Sequence, residues 1–120
     1  MSCFYCQNVI NGSLEVEVVH ESKNVIAFLH TRPYFEAHVV VIPRQHIDSL
    51  SSIESTNSVL AVEFIQAIQK ITEQLERKWG GCRVSSNVGN YQSSKHLHWY
   101  IHAGQRLRDE TGNAIESQLL

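Results

Sequence analysis

The sequence predicts an α+β fold, an antiparallel sheet of about five strands with one long helix packed on one face. Three observations lead there. Five short runs, at 14–20, 25–30, 38–43, 82–88 and 96–103, are β-branched or alternate between apolar and polar residues. One stretch, from about residue 56 to Trp79, has helical periodicity instead. Most connections are short and turn-like, as hairpins require.

In order, NGS at 11–13 breaks the chain, and LEVEVVH, 14–20, alternates as a strand. ESKN at 21–24 reads as a hairpin turn into VIAFLH, 25–30, which TRP at 31–33 ends. HVVVIP, 38–43, is a continuous apolar run suited to a central strand, and Pro43 stops it. The polar segment 44–56 ends at Thr56, a residue type that caps helices. Leu60, Phe64, Ile68, Ile71, Leu75 and Trp79 then form one apolar stripe, and the glycines at 80–81 terminate it. CRVSSNV, 82–88, returns to strand, GNYQSS is a loop, and 96–103 is the last strand. Residues 1–104 form the expected domain; 105–120 is a polar C-terminal tail, expected to be loosely held.

At 120 residues one core is expected, not two. The formal charge of −2 supplies no overall basic field, so duplex nucleic acid is not an expected partner. No apolar run reaches the roughly 18 residues a membrane helix needs. The opening MSCFYCQNVI lacks the marks of a secretory leader, so the cytoplasm is the expected location. Three cysteines, an odd number, argue against a disulfide framework, and Cys82 reads as a small buried side chain. Cys3 and Cys6 form a C-x-x-C pair: a redox pair, half a metal site or an accident. Its place at the extreme N-terminus disfavours the redox reading.

The chemistry concentrates in SSKHLHWYIHAG, 93–104. On a strand His96, His98, Tyr100 and His102 project from one face, about 6.7 Å apart, while Leu97, Trp99, Ile101 and Ala103 project from the other. The apolar set belongs against the helix, leaving the imidazoles toward a cleft or solvent. QSSKHLHWYIHAG resembles the signature of the histidine triad (HIT) family, which carries His-x-His-x-His-x-x, with x apolar, on its last core strand. NVIAFLHTRPYFEAHVVVIPRQHIDSL, 24–50, is similar to the family's upstream block, and SSNVG, 85–89, to its Asn-containing strand.

That resemblance implies a nucleotide-binding fold, usually a homodimer, performing nucleotidyl transfer or hydrolysis. It puts the nucleophile on His98 and the first triad histidine on His96. Ser93 and Gln92 fall on phosphate-contacting positions, Asn87 on the asparagine of the phosphate site, and His38 on the histidine opening the buried strand. Relatives with the cysteine pair complete a structural zinc site from the IP-basic-x-His turn and the first triad histidine, here Cys3, Cys6, His46 and His96. The implied substrate is a nucleoside phosphoramidate, dinucleoside polyphosphate or similar conjugate attacked at its α-phosphate.

Elementary chemistry agrees. A neutral imidazole is a competent nucleophile at neutral pH, and a hydrogen bond at its other nitrogen would fix its tautomer. Hydroxyl and amide donors from Ser93, Gln92 and the 89–94 backbone would stabilise phosphate charge. Two positions depart from the family pattern. Tyr100 replaces the third triad histidine; a phenol can donate a hydrogen bond but shuttles protons poorly at neutral pH. His102 shares that face, but about 13 Å from His98 it cannot serve the same phosphate. His30 stands where the family carries an acidic residue that accepts hydrogen bonds from ribose hydroxyls. Three functions follow: a hydrolase or transferase, a nucleotide-binding module with little or no turnover, or a zinc protein buffering metal on its imidazole strand. Arg32, Arg44 and Lys95 are further candidates for holding phosphates.

Overall fold

The computed structural model describes residues 3–53 and 57–115. After a π-helical coil, Tyr5–Ile10, the chain forms β1 (Val18–Glu21), β2 (Val25–Leu29), β3 (Phe35–Pro43), α1 (Ser58–Trp79), β4 (Arg83–Ser86) and β5 (Trp99–Arg106). Spatially the strands run β1-β2-β3-β5-β4, each antiparallel to its neighbour. The expected fold class is the observed one.

Two strand boundaries differ from expectation. Leu14 N–H donates to the Asn8 carbonyl at 2.6 Å, binding this stretch to the N-terminal coil, and the ladder begins only at Val18. The last strand begins at Trp99, not His96. Leu97 N–H donates to the Ile47 carbonyl at 2.6 Å, so 96–98 leaves the sheet to close against the loop after β3. The two-residue alternation nevertheless continues through these residues.

Helix α1 starts where Asn57 accepts from Leu60 N–H and ends at Gly80, whose left-handed φ of +84° lets its N–H reach the Glu76 carbonyl. Thr56, the expected cap, lies outside the described residues. Leu60, Phe64, Ala67 and Ile71 pack on Val25, Ala27, Val39, Val41, Leu97 and Ile101. Ile68 and Leu75, from the expected stripe, flank this core together with Cys82 and Trp99. Each fully buried Leu, Ile or Phe contributes about 1.5–3 kcal/mol. Glu63 fastens the β1–β2 turn to the helix by accepting from Ser22 Oγ (2.7 Å), Asn24 N–H (3.0 Å) and Asn24 Nδ2 (2.6 Å). None of the described helices is long and apolar enough to cross a membrane.

The opposite face has a second core: Cys3, Tyr5 and Val9 from the N-terminal coil cover Ile26, Phe28, Val40 and Ile42. Strands β2 and β3 are therefore buried on both faces, which explains their unbroken apolar runs. The beginning of the expected tail is tied down as well. Leu107 N–H donates to the Tyr34 carbonyl at 2.7 Å, and Arg108 pairs with Ala114 across a turn organised by Asp109. Backbone polar groups satisfied in this way hold a segment whose side chains offer little apolar burial.

Gly104 has φ +82°, and a Cβ there would stand 2.8 Å from Glu36 Cβ and 3.0 Å from Trp79 Cζ3. Gly104→Ala should cost about 1–3 kcal/mol in urea unfolding, whereas Gly81→Ala, in open space with ordinary φ, should stay within about 0.5 kcal/mol.

Candidate functional site

The sheet face away from the helix is organised in rows running across the strands. In one row His30 N–H donates to the His38 carbonyl at 2.8 Å, His38 faces His102, and His102 faces Arg83. The next row sets Phe28 opposite Val40, Val40 opposite Tyr100, and Tyr100 opposite Ser85. Directly cross-strand partners share a face, so this register gathers residues remote in sequence. The His30 and His38 rings stack at 4.4 Å, and the His38 and His102 centroids are 5.9 Å apart.

His98 lies one alternation beyond Tyr100. Its Nδ1 donates to the His96 carbonyl at 2.7 Å, which leaves Nε2 as the lone-pair nitrogen. That Nε2 is buried and has no partner. Contrary to the expectation of imidazoles facing cleft or solvent, His98 is only 1% exposed. Tyr5 lies 5.4 Å from it and Tyr100 5.0 Å, centroid to centroid, and these rings are the cover. Burial holds the His98 pKa below its ordinary value, against an opposing push from the His96 carbonyl, so the ring is neutral at neutral pH. Burial likewise raises the Tyr100 phenol, which remains a protonated donor.

Cys3, Cys6, His46 and His96 converge, their ligand atoms all within 4.8 Å of one another, so a single metal ion could take all four. His96 Nδ1 is 3.3 Å from Cys3 Sγ and 3.5 Å from Cys6 Sγ; His46 Nδ1 is 3.4 Å from Cys6 Sγ. The tautomers suit coordination. His96 Nε2 donates to the Pro43 carbonyl and His46 Nε2 to Asp48 Oδ1, both at 2.9 Å, so each Nδ1 turns a lone pair toward the sulfurs. The cluster and His98 are linked by one backbone group, the His96 carbonyl.

Two cavities open beside this group. The first, about 280 Å³, is walled by Phe4, Tyr5, Phe28 and Val40. The second, about 400 Å³, is bounded by His38, His102, Phe35, Asn87, Ser85 and Arg32. His30, Ser93 and Tyr100 belong to both and mark their junction. Sequence reasoning singled out His30, His38, Asn87, Ser93 and Tyr100, and the fold brings them together here. Gln92 is engaged elsewhere: its amide donates to the Asp48 and Ser94 carbonyls and accepts from Gly89 N–H. Lys95 Nζ bonds the Gly89 carbonyl, and Arg44 bonds Glu21 at 2.8 Å, so neither turns to the cavities. Phe4, Tyr5, Tyr34 and Phe35 were not anticipated. Two aromatic residues between two candidate metal ligands were the available signal for Phe4 and Tyr5.

The chain matches the HIT domain family model over residues 11–107. It is similar to a HIT-like protein of Chlamydia trachomatis, 31% identical over 82% of this chain and 89% of that one. Among solved structures it resembles a HIT family hydrolase from Clostridium thermocellum, at 27% identity and TM-score 0.75, covering 91% of this chain and 96% of the other. A protein from Sulfolobus tokodaii described as a hypothetical histidine triad nucleotide-binding protein has the same TM-score of 0.75 at 25% identity, covering 85% of this chain and 68% of that one.

His38 gives the site a pH signature. Burial, with His30 and His102 adding, lowers its pKa from 6.5 to about 3. Between those values the unfolded chain binds a proton the folded chain refuses. Its contribution to stability is therefore complete above pH 6.5 and is lost progressively as pH falls toward 3. His38→Asn, whose Oδ1 can still accept from Tyr34 N–H, should flatten this acid limb in urea midpoints measured against pH.

Proposed function

Because the chain belongs to the histidine triad (HIT) family, we propose that it binds a nucleotide conjugate and cleaves it at the α-phosphate through His98. The observation that carries this reading is the His98 ring: one nitrogen committed to the His96 carbonyl, the other an unpartnered lone pair behind the junction of two cavities. The relatives described as a HIT family hydrolase and as a hypothetical nucleotide-binding protein support it. The aromatic cavity suits the faces of a base, and the junction suits the phosphate, within reach of the Ser93 hydroxyl.

His98 Nε2 attacks phosphorus, forming a P–N bond as the bond to the leaving group breaks with its electron pair. Water then cleaves the P–N bond and releases the nucleotide and the free imidazole. Tyr100 donates a hydrogen bond to phosphate oxygen but does not relay protons at neutral pH. A substrate reaches Nε2 only with Tyr5 displaced from its present packing.

That cover favours a second reading, a nucleotide-binding module with little or no turnover. A panel of adenylated and guanylated amidates and dinucleoside polyphosphates, read by mass, separates the two. Turnover should fall by at least about a thousandfold in His98→Ala. Under the second reading the intact protein leaves every compound unconsumed, yet ligand at a hundred times Kd stabilises it by about 2.7 kcal/mol.

Zinc is the metal proposed for the cysteine–histidine cluster. Tetrahedral zinc, with Zn–S about 2.3 Å and Zn–N about 2.0 Å, sets sulfur and nitrogen ligands about 3.5 Å apart. The observed separations of 3.3, 3.4 and 3.5 Å fit that figure. Two cysteines and two histidines close the coordination shell, so zinc would supply a structural cross-link with no position for substrate water. A homodimer belongs to the same proposal. Helix α1 leaves Val59, Val62 and Ile65 exposed at 66%, 53% and 63%, an apolar row a second copy would cover. The cytoplasm is the proposed location. Elemental analysis should find one zinc per chain, and chelation should lower Tm by more than about 10 °C. Cys6→Ser should reproduce that loss and make chelator inert.

A further inference from the structure

The N-terminal coil keeps its hydrogen bonds to itself. Gln7 N–H donates to the Cys3 carbonyl at 2.9 Å, Asn8 Nδ2 to the Phe4 carbonyl at 3.1 Å, and Leu14 N–H to the Asn8 carbonyl at 2.6 Å. Among the described residues, the only polar contacts from residues 3–14 to the rest of the molecule are those of the Cys3 and Cys6 sulfurs with His46 and His96. Beyond these the coil is held by apolar packing alone, chiefly Tyr5 and Val9 on β2 and β3. Sulfur chemistry therefore supplies its one directional attachment.

His98 is anchored quite differently. Leu97 N–H donates to the Ile47 carbonyl at 2.6 Å, Ser86 Oγ donates to the His98 carbonyl at 2.8 Å, and the ring's Nδ1 is fixed on the His96 carbonyl. Of the two rings that cover it, Tyr100 is locked in the ladder between Val40 and Ser85. Tyr5 belongs to the coil. It sits between the two cysteines, in a turn that Cys6 N–H closes on Cys3 Sγ at 3.4 Å. Its ring is wedged among Phe28, His96 and His98 at 6.2, 5.5 and 5.4 Å. Phe4 and Tyr5 together make one wall of the first cavity, and the unpartnered His98 Nε2 is buried behind it.

We propose that the cysteine pair is a metal-dependent latch on His98, with Tyr5 as its bolt. The inference rests on the zinc reading above and not on the nucleotide reading. With the four donors engaged on one ion, the turn from Cys3 to Cys6 is pinned and Tyr5 closes over Nε2. With the sulfurs released, apolar packing alone holds the coil, Tyr5 swings away, and the first cavity deepens to reach His98. The anchors of His98 lie in the sheet and its loops, so its orientation and tautomer survive the opening. Occupancy of the metal site and occupancy of His98 by a ligand then oppose each other, each weakening the other by the same factor. A cross-link that only stabilised the fold would couple to the whole face alike.

Acylation of histidines by diethyl pyrocarbonate, localised by fragment mass, tests this on the full chain without any nucleotide. Stripping zinc with a chelator should speed acylation of His98 at least about tenfold, and restoring zinc should reverse it. His38 is the internal control: it is 6% exposed on the same face, yet its ring contacts come from residues 30–35, 100 and 102, not from the coil. Its rate should stay within about twofold, because only a general loosening would open it. Tyr5→Leu, which keeps an apolar side chain on Phe28, should leave His98 reactive with zinc bound and nearly indifferent to chelator, with folding checked by circular dichroism. Equal His98 rates in protein loaded with one zinc per chain and in stripped protein overturn the latch and leave the zinc reading standing; this comparison needs no variant. A rise that His38 shares overturns it as well, and so does a chelator response that folded Tyr5→Leu retains in full. A chain that takes up no zinc refutes both readings together.

Discussion

The site exists because Leu97 and Ile101 are driven under helix α1. Both are fully buried in the helix-side core, and burial of each contributes about 1.5–3 kcal/mol. With those two fixed, the two-residue repeat leaves His96, His98, Tyr100 and His102 no direction but the opposite face. A slip of one residue would bury imidazoles beneath the helix and strand two large aliphatic side chains on the other side. Hydrophobic energy thus enforces a polar arrangement in which it takes no direct part. Strand β3 is the reference for both faces, since Val39 and Val41 meet the helix while Val40 and Ile42 meet the N-terminal coil.

The N-terminal coil has two roles on that second face. Cys3 and Cys6 bring sulfur to His46 and His96, and Tyr5 between them packs against His96 and His98 at 5.5 and 5.4 Å. Whatever fixes the cysteines therefore fixes the ring that covers His98. The same contact explains why this site is closed in a way a sheet and helix alone would not make it.

The parts of the structure readable from sequence were those with a strong local cause. The helix stripe, its glycine stop and the β-branched runs each reflect one element's own periodicity, and all appear close to where that periodicity puts them. The motif residues His30, His38, Asn87, Ser93 and Tyr100 meet at the cavities because their spacing relative to the strands was already fixed. Features set by long-range partners were not legible. Residues 14–17 alternate like a strand, but Leu14 is held by Asn8 and the first bond to β2 is made only at the Glu17 carbonyl, which accepts from Leu29 N–H; 96–98 alternate like a strand but close against Ile47. Gln92 has the right chemistry for phosphate, yet the Asp48 carbonyl takes its amide. The cover over His98 depends on a tertiary contact between residues 93 positions apart, and alternation alone carries no information about what lies above a face.

On either side of Tyr100 stand two buried ring nitrogens of opposite polarity, the His38 donor and the His98 acceptor. Leaving such a group unsatisfied costs about 1–3 kcal/mol. Each polarity is held by a single backbone hydrogen bond at the other ring nitrogen, from Tyr34 N–H to His38 Nδ1 and from His98 Nδ1 to the His96 carbonyl, so two main-chain groups decide which ring offers a proton and which a lone pair.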